Sequence, residues 1–281
     1  MTVGANDVTL DSWQRRVTPR LERERFRPSS IGDVTLLAYF FWDDDRIRTK
    51  FYTIKNTFLC AFHSLGLLPS KLVVNRQTDE MAAFCGKYGI DIDLDPTLTG
   101  GLPRMSRDCI QSLHERFSTR YVLIIQADGI VVRPGLERFL GKYDYVGAPW
   151  PGHMKWFDWF PYPQYAIGNG GLCLRSRAIC QAASEAYRRV FRHLPYSWFL
   201  CDDVFYGKTM RFLSPSWRRR FRYPTVEEAL LFSTEGRSRN FELPETPPMG
   251  FHNPQAFREY VGRYGIPLRD FYGEDEEGPV W

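Results

Sequence analysis

The stretch that decides the fold is YVLIIQADGIVVRPG, residues 121–135. Its first five residues, Tyr121 to Ile125, are all apolar or aromatic, which is typical of a strand buried on both faces. The apolar run stops at QADG, residues 126–129, before a second apolar run leads to Pro134 and Gly135. The sequence therefore predicts a carboxylate, Asp128, at the carboxyl end of a buried strand.

Strand and helix patterns alternate around this stretch. The predicted strands are Val34–Phe41, Lys71–Asn75, Ile90–Leu94 and Tyr121–Ile125, with helices between them at Phe51–Leu65, Asp79–Tyr88 and Met105–Phe117. Such alternation favours an α/β fold with a mostly parallel central sheet flanked by helices. Ligands of such sheets bind outside the carboxyl ends of the strands, which is where Asp128 is expected.

The second half of the chain is less regular. We predict strands at Tyr143–Ala148 and Ile167–Leu174 and helices at Arg177–Phe191, Asp203–Met210 and Val226–Ser233. There is no internal repeat and no low-complexity linker, so a single domain is expected over residues 31–272. Residues 1–30 form an N-terminal arm, loose or as a short helix, and residues 273–281 a disordered acidic tail.

Composition is that of a soluble globular protein. Of 281 residues, 43% are hydrophobic and 25% charged, and no apolar run approaches the length of a membrane-spanning helix. The polar N-terminus lacks an apolar secretory core, which predicts a cytoplasmic location, with peripheral membrane contact as a further option. The six cysteines form no CxxC pair, which indicates buried thiols rather than disulfides or a zinc site. A net charge of +4 does not by itself indicate nucleic-acid binding.

Gln126 and Asp128 are the first candidate site. Residues two apart in an extended chain point to the same side, so both side chains would face one ligand. A carboxylate there suits a divalent ion that holds a diphosphate, because Mg²⁺ often takes one or two protein carboxylates plus phosphate oxygens. The alternative is a simple turn, since Asp-Gly is a common turn pair.

The glycine-rich stretch IGNGGLCL, residues 167–174, is the second candidate. Glycines around Asn169 let the backbone approach a ligand closely and expose its amides. The pattern is not a GxGxxG nucleotide motif, because no phosphate-binding helix directly follows it. A sugar lying against flat backbone, with Asn169 contacting a hydroxyl, and a glycine bulge remain the two interpretations.

Two further motifs carry ionisable groups. CDDVF, residues 201–205, places Asp202 and Asp203 at the start of a helix, where a carboxylate is a helix cap or, for Asp203, a general base. GFHN, residues 250–253, holds a lone histidine, His252, which is either structural or a ligand.

Taken in order, QADG, VGAPW, IGNGGLCLRSR, CDDVF and GFHN resemble the family of predicted glycosyltransferases known as the domain of unknown function 5672. The resemblance covers roughly residues 33 to 255, and its layout is similar to the GT-A glycosyltransferase fold. It implies an enzyme that moves a sugar from a UDP- or GDP-type donor to an acceptor hydroxyl, on a glycan or lipid-linked glycan.

The resemblance also implies roles for individual residues. Asp203, with Asp202 beside it, matches the catalytic acid that acts as base in inverting enzymes. Asp128 and His252 match the ligands of a divalent cation, Mg²⁺ or Mn²⁺, although Gln126 replaces an acid of the family's metal motif. The donor-binding set it implies is Phe40, Gln126, Asp128, Gly129, Asn169, Gly170 and Gly171.

An aromatic segment between the VGAPW and GNGG motifs is the candidate acceptor site. Aromatic faces stack on sugars, and the prolines of the segment limit the entropy lost on ordering. The segment is predicted as an acceptor platform, a lid over the donor, a lipid-contacting patch or plain packing. Its candidate contacts are Trp156, Trp159, Tyr162 and Tyr165.

The run WRRRFR, residues 217–222, interleaves cations with aromatics. It is either solvated surface or a contact for an anionic acceptor such as a phosphorylated lipid carrier, an acidic glycan or nucleic acid. A glycosyltransferase acting on modified DNA bases through Arg218–Arg222 is therefore an alternative function. A non-catalytic carbohydrate-binding protein on a degenerate GT-A fold is another, because Gln126 replaces an acid.

Overall fold

Two strands buried along their whole length form the centre of the molecule. The computed structural model describes residues 8–41, 51–150, 167–193, 200–236 and 241–268. With strands numbered in chain order, β1 (Val34–Phe40) and β4 (Tyr121–Ile125) lie side by side in parallel, with Val34 opposite Tyr121. Their continuous apolar sequence is explained by this position, because side chains on both faces are covered.

The main sheet extends from these two strands in both directions. β2 (Ser70–Val74) and β3 (Ile90–Leu94) continue it in parallel beyond β1, whereas β7 (Leu172–Ser176) runs antiparallel to β4 and to the edge strand β6 (Tyr145–Gly147). The order is β3-β2-β1-β4-β7-β6. The predicted α/β fold with a mostly parallel central sheet is confirmed.

Helices cover both faces of this sheet and create two apolar layers. Alternate residues of β1 enter different layers, with Leu36 and Ala38 in one and Leu37 and Tyr39 in the other. The α-helices of the described residues are α1 (Leu10–Leu21), α2 (Phe51–Leu65), α3 (Asp79–Tyr88), α4 (Gly101–Gln111), α5 (Arg177–Ala186), α6 (Asp202–Val204), α7 (Met210–Leu213), α8 (Pro215–Arg220), α9 (Val226–Phe232) and α10 (Pro254–Tyr264).

A small second sheet is appended to the carboxyl side of the main one. It consists of β5 (Gly129–Val131), β8 (Ser233–Thr234) and β9 (Gly250–His252), in the order β5-β9-β8. The sequence analysis predicted neither β9, which at three residues is too short to show a period, nor α10.

Two helices contain π-helical turns where α-helices were predicted. The predicted helix Arg177–Phe191 changes to π geometry over Tyr187–Phe191, and the segment 202–213 does so over Phe205–Thr209, between α6 and α7. In the second case the turn packs Gly207 against the segment that leads into β7, where an added Cβ would lie 2.5 Å from the Ile167 carbonyl oxygen. Such local insertions are decided by tertiary packing and are not visible as a sequence period.

The segment predicted as an N-terminal arm contains α1, which is a full part of the core. Thr9 caps it with a capping box, and Trp13, Val17 and Leu21 are at most 1% exposed. Trp13 packs its ring 5.5 Å from that of Phe257 and donates its Nε1–H to the Pro267 carbonyl at 3.3 Å. The acidic tail, residues 273–281, lies outside the described residues.

All six cysteines are free thiols, and all except the partly buried Cys201 are buried. Burial raises the pKa of the Cys85 thiol to about 12, so this thiol stays protonated at neutral pH. Within the described ranges, every helix is too short or too polar to cross a membrane.

The core position of α1 gives a stability prediction. Trp13→Ala should lower the free energy of unfolding by about 3–5 kcal/mol, because a large buried ring is removed from a packed site. Asp11→Ala, which removes only an exposed ion pair with Arg15, should cost under about 1 kcal/mol. Urea unfolding of the three proteins measures both effects, and equal small losses would show that α1 is not part of the folding unit.

Candidate functional site

β4 ends in a tight turn at the carboxyl edge of the main sheet. The Gly129 N–H donates to the Gln126 carbonyl at 2.9 Å and closes the turn over residues 126–129. Gln14 of α1 donates its side-chain amide to the Ala127 carbonyl at 2.9 Å and holds the turn from behind. The Asp128 side chain remains 39% exposed, so the turn leaves this carboxylate accessible.

His252 reaches the same turn from the small sheet. It lies opposite Gly129 in the antiparallel pairing of β5 and β9. Its Nε2 is 3.3 Å from an Asp128 carboxylate oxygen, and its Nδ1 is 3.2 Å from a carboxylate oxygen of Glu235, which follows β8. One imidazole is thus held between two carboxylates.

These carboxylates set the charge of the imidazole. Burial lowers the pKa of His252, but the charge of Asp128 and hydrogen bonds to Asp128 and Glu235 outweigh it and raise the pKa to about 10. Partial desolvation raises the pKa of the Asp128 carboxyl, but the His252 charge and hydrogen bond outweigh that effect and lower the pKa. At neutral pH the protein alone therefore carries an imidazolium beside an ionised Asp128.

Asn169 connects this group to the glycine-rich loop. Its side-chain carbonyl accepts the N–H groups of Gly171 at 2.7 Å and Leu172 at 3.2 Å. Its amide nitrogen donates to Glu235 and lies 2.7 Å from Nδ1 of His252. Asn169 is 2% exposed, so its side chain organises the loop from beneath, and a contact with a sugar hydroxyl stays a prediction.

Two glycines allow the tip of β4, the start of β7 and His252 to meet. A Cβ on Gly171 would lie 2.0 Å from the His252 ring, and one on Gly129 would lie 2.0 Å from the Gly171 carbonyl oxygen. The same carbonyl accepts the Gln126 N–H at 2.8 Å. The places around residues 128 and 170, which the sequence predicted to share one site, are therefore in direct backbone contact.

A buried ion pair lies behind Gly170. Arg175, on β7, is fully buried and donates its Nη2 to Asp202, which also accepts a hydrogen bond from Ser106 of α4 at 3.2 Å. The guanidinium is stacked against Tyr206, with its central carbon 4.4 Å from the ring centroid. Asp202 is therefore fixed by its partners, a structural task beyond that of a helix cap.

Asp203 is the neighbouring acid and has a different environment. A Cβ on Gly170 would lie 3.2 Å from the Cβ of Asp203, and one Asp203 oxygen accepts the Val204 N–H at 2.7 Å. Burial raises the pKa of Asp203, and the charges of Asp202 and Glu235 raise it further. The result is a pKa of about 7, although the Val204 hydrogen bond and Arg175 act in the opposite direction. A carboxyl group that titrates near neutrality can accept a proton at physiological pH.

The predicted donor residue Phe40 has its side chain in the apolar core. It is 2% exposed and packs 5.7 Å from the ring of Phe51, in the layer covered by α2. The alternation along β1 explains this, because Phe40 faces the same layer as Leu36 and Ala38. The predicted acceptor contacts Trp156, Trp159, Tyr162 and Tyr165 lie outside the described residues.

Three residues of the site were not indicated by the sequence: Glu235, Arg175 and Ser106. Glu235 comes after an ordinary-looking helix pattern, and its role depends on the pairing of β8 with β9. Arg175 sits within LRSR directly after an apolar run. An arginine at an inward position of a buried strand is a usable signal, because such a charge needs a buried partner.

The main sheet and this edge define an α/β protein whose site lies beyond the carboxyl ends of parallel strands, where such folds bind ligands. The chain belongs to the family described as "protein of unknown function (DUF5672)", whose model matches residues 108–252. The matched range contains every side chain of the site described above except those that support it from α1 and α4. No curated protein sequence matches the chain.

Solved structures with a similar arrangement include glycosyltransferases. A mannosyltransferase from Pyrobaculum calidifontis, in complex with GDP-mannose and Mn²⁺, has a TM-score of 0.42 and 11% identity, over 79% of this chain and 62% of that one. The mannosyltransferase Ktr4p from S. cerevisiae has a TM-score of 0.39 and 7% identity, over 66% and 73%. The galactosyltransferase LgtC with donor and acceptor sugar analogues has a TM-score of 0.43 and 14% identity, over 71% and 74%.

The contact between Gly171 and His252 gives a second prediction. Gly171→Ala should displace the imidazole and destabilise the protein by about 1–3 kcal/mol, as overpacking of a filled site does. Gly262→Ala is the matched control, because this helical glycine has no neighbour within 4 Å of an added Cβ. It should be neutral or stabilising by up to about 1 kcal/mol. Equal urea midpoints for the two variants would contradict the close approach.

Asp203 gives a prediction about pH and stability. Its pKa is about 7 in the folded protein, against an ordinary value of 3.8. Between these values the unfolded chain releases the proton and the folded chain keeps it, so this carboxyl's contribution to stability falls as pH rises through the interval. Asp203→Asn removes the titration, so its stability relative to the wild type should increase by at least about 1 kcal/mol from about pH 5 to about pH 8. Urea unfolding at both pH values measures this difference, and a constant difference would contradict the raised pKa.

Proposed function

We propose that the protein is a glycosyltransferase that moves a sugar from a nucleotide-sugar donor to an acceptor hydroxyl. The observation that carries this proposal is the meeting of two acidic groups at one edge of the sheet. Asp128 with His252 and Glu235 forms one, and Asp203 with Asp202 and Arg175 forms the other, on either side of the glycine-lined loop.

The first group holds the diphosphate of the donor. A carboxylate oxygen of Asp128 and Nε2 of His252 face each other, and Glu235 fixes the opposite nitrogen of the imidazole. A cation bound here would require release of the Nε2 proton of His252, after which the neutral imidazole and the Asp128 carboxylate would offer two ligands to Mn²⁺. A carboxylate on the far side of the ring is the usual support of a metal-binding histidine. Among the described residues no group of three or more such ligands occurs, so phosphate oxygens and water would complete the coordination. A bound cation would supply positive charge that stabilises the leaving diphosphate.

The second group acts on the acceptor. Asp203 takes the proton of the acceptor hydroxyl as its oxygen forms a bond to the anomeric carbon of the sugar. The bond from that carbon to the diphosphate oxygen breaks, and the nucleoside diphosphate leaves with the electron pair. Asp202, held by Arg175 and Ser106, keeps the adjacent acid in place and raises the pKa of Asp203. This chemistry corresponds to inversion at the anomeric carbon.

The first experiment is a ligand screen on the full chain. UDP, GDP and CMP are tested for thermal stabilisation with and without Mn²⁺, because a ligand that binds only the folded state raises the melting temperature. The matching sugar donors are then tested for hydrolysis and transfer. Stabilisation by one nucleotide without turnover of any donor would favour a non-catalytic sugar-binding protein.

Asp128→Asn should weaken metal-dependent binding of the nucleoside diphosphate and lower turnover by at least about 100-fold, because one ligand charge is lost. Asp91→Asn is the control, since the Asp91 side chain is 74% exposed on the edge strand β3. Isothermal titration and a donor-turnover assay measure both effects. Full activity of Asp128→Asn with unchanged metal dependence would contradict the role of Asp128.

Asp203→Asn should keep nucleotide binding and lower the rate of transfer by about 100- to 10,000-fold, the range lost when a general base is removed. In the wild type, the rate should fall below the pKa of about 7, because the base becomes protonated. The pH profile of kcat/KM and the nucleotide affinity are the two readouts. Loss of nucleotide binding together with transfer would assign Asp203 a structural role instead.

A further inference from the structure

Two exposed apolar side chains lie at the carboxyl end of the helical segment 202–213. Five large apolar side chains are exposed among the described residues: Leu94, Leu102, Val190, Phe212 and Leu213. Of these only Phe212 and Leu213 are consecutive, and they are 52% and 57% exposed at the end of α7. Single exposed apolar residues are normal on a protein surface, but a pair at one corner is a candidate contact site.

The next helix, α8, carries positive charge close to this apolar pair. Arg218, Arg219 and Arg220 end α8 and are all exposed. None of the three takes part in an ion pair with the described acidic residues. Trp217 anchors the helix instead, with its ring 4.6 Å from that of Phe221 and its Nε1–H donating to the Tyr223 hydroxyl at 2.7 Å.

Arg218 connects the apolar and the charged parts. Its Nη1 donates to the carbonyls of Arg211 at 2.6 Å and Phe212 at 3.2 Å, at the carboxyl end of α7. The two short helices are therefore fixed to each other, with exposed Phe212–Leu213 at the end of one and exposed Arg218–Arg220 at the end of the other. A preordered surface loses less entropy on binding than a loose segment does.

We propose that this surface, Phe212–Leu213 with Arg218–Arg220, is a contact site for a membrane containing anionic lipids. Apolar side chains enter the boundary between headgroups and acyl chains, while arginines beside them pair with lipid phosphates. The apolar pair favours a bilayer over nucleic acid, since a phosphate backbone gives no gain for burying Leu213. Two side chains and three charges give weak, reversible binding rather than stable anchoring.

The surface is linked to the candidate base by one helical segment. Asp203 is at its start and Phe212 is nine residues later, roughly 13 Å along a helix axis. A membrane at Phe212 would therefore be close to the edge of the sheet that carries the candidate site. This link depends on the proposed function and points to a lipid-linked acceptor, whereas the membrane contact itself does not depend on it.

Vesicle co-sedimentation of the full chain tests the contact without any activity assay. Binding to vesicles of phosphatidylcholine mixed with phosphatidylglycerol is expected to exceed binding to phosphatidylcholine alone and to fall as salt rises. Arg219→Gln with Arg220→Gln should weaken binding about 30-fold, and Leu213→Ser about 10-fold.

Matched controls separate this surface from general charge and hydrophobicity. Arg23→Gln with Arg25→Gln removes the same charge from exposed positions elsewhere, and Leu94→Ser removes a leucine that is 49% exposed. Both controls should bind vesicles as the wild type does. Equal binding by all variants, or no binding to anionic vesicles, would overturn the proposal. Binding to DNA or RNA oligonucleotides that needs Arg219 and Arg220 but not Leu213 would also overturn it, in favour of nucleic acid.

Discussion

The architecture of the site depends on the contact of three backbone segments at the tip of β4. The Gly171 carbonyl accepts the Gln126 N–H, Gly129 packs against the same carbonyl, and the His252 ring lies where a Gly171 side chain would be. No residue larger than glycine fits either position without moving a backbone or an imidazole. These contacts therefore fix how the main sheet, the small sheet and the glycine-rich loop lie against one another. The positions of the ionisable side chains of the site depend on this packing.

The buried guanidinium of Arg175, beside this contact, has an electrostatic cost. Arg175 is fully buried, and its Nε and Nη1 have no hydrogen-bond partner within the described structure. A buried ion pair is often no more stable than apolar residues of similar volume, so such a pair contributes little net stability. The ion pair nevertheless affects the candidate site. Asp202, held by Arg175, is one of the charges that raise the pKa of the neighbouring Asp203.

Local patterns predicted the strands of the main sheet and most helices, because burial on both faces leaves a continuous apolar run, as in Tyr121–Ile125. They did not predict the short strands of the small sheet. The same reasoning placed Asp128 at the carboxyl end of β4, where the structure has it. It could not predict Glu235, because the contact of this residue with His252 spans 17 residues and depends on the pairing of β8 and β9. It placed Phe40 at the donor site from the resemblance, whereas alternation along β1 puts its ring in the core. Residues whose position depends on long-range packing have no local signal.

The two acids at this edge are driven toward opposite protonation states. Asp128 faces an imidazolium, which favours its ionised form, whereas Asp203 is half-buried beside other carboxylates, which favour its neutral form up to about pH 7. Enzymes separate the tasks of two carboxyl groups by such differences in environment. A permanently ionised acid suits the binding of a cation or of a charged diphosphate complex, and an acid that titrates near neutrality suits proton transfer. This division is the physical basis for assigning Asp128 to the donor and Asp203 to the acceptor. With its lowered pKa Asp128 is a weak base, whereas Asp203 binds a proton readily near neutral pH, and a cation at Asp203 would have to displace that proton.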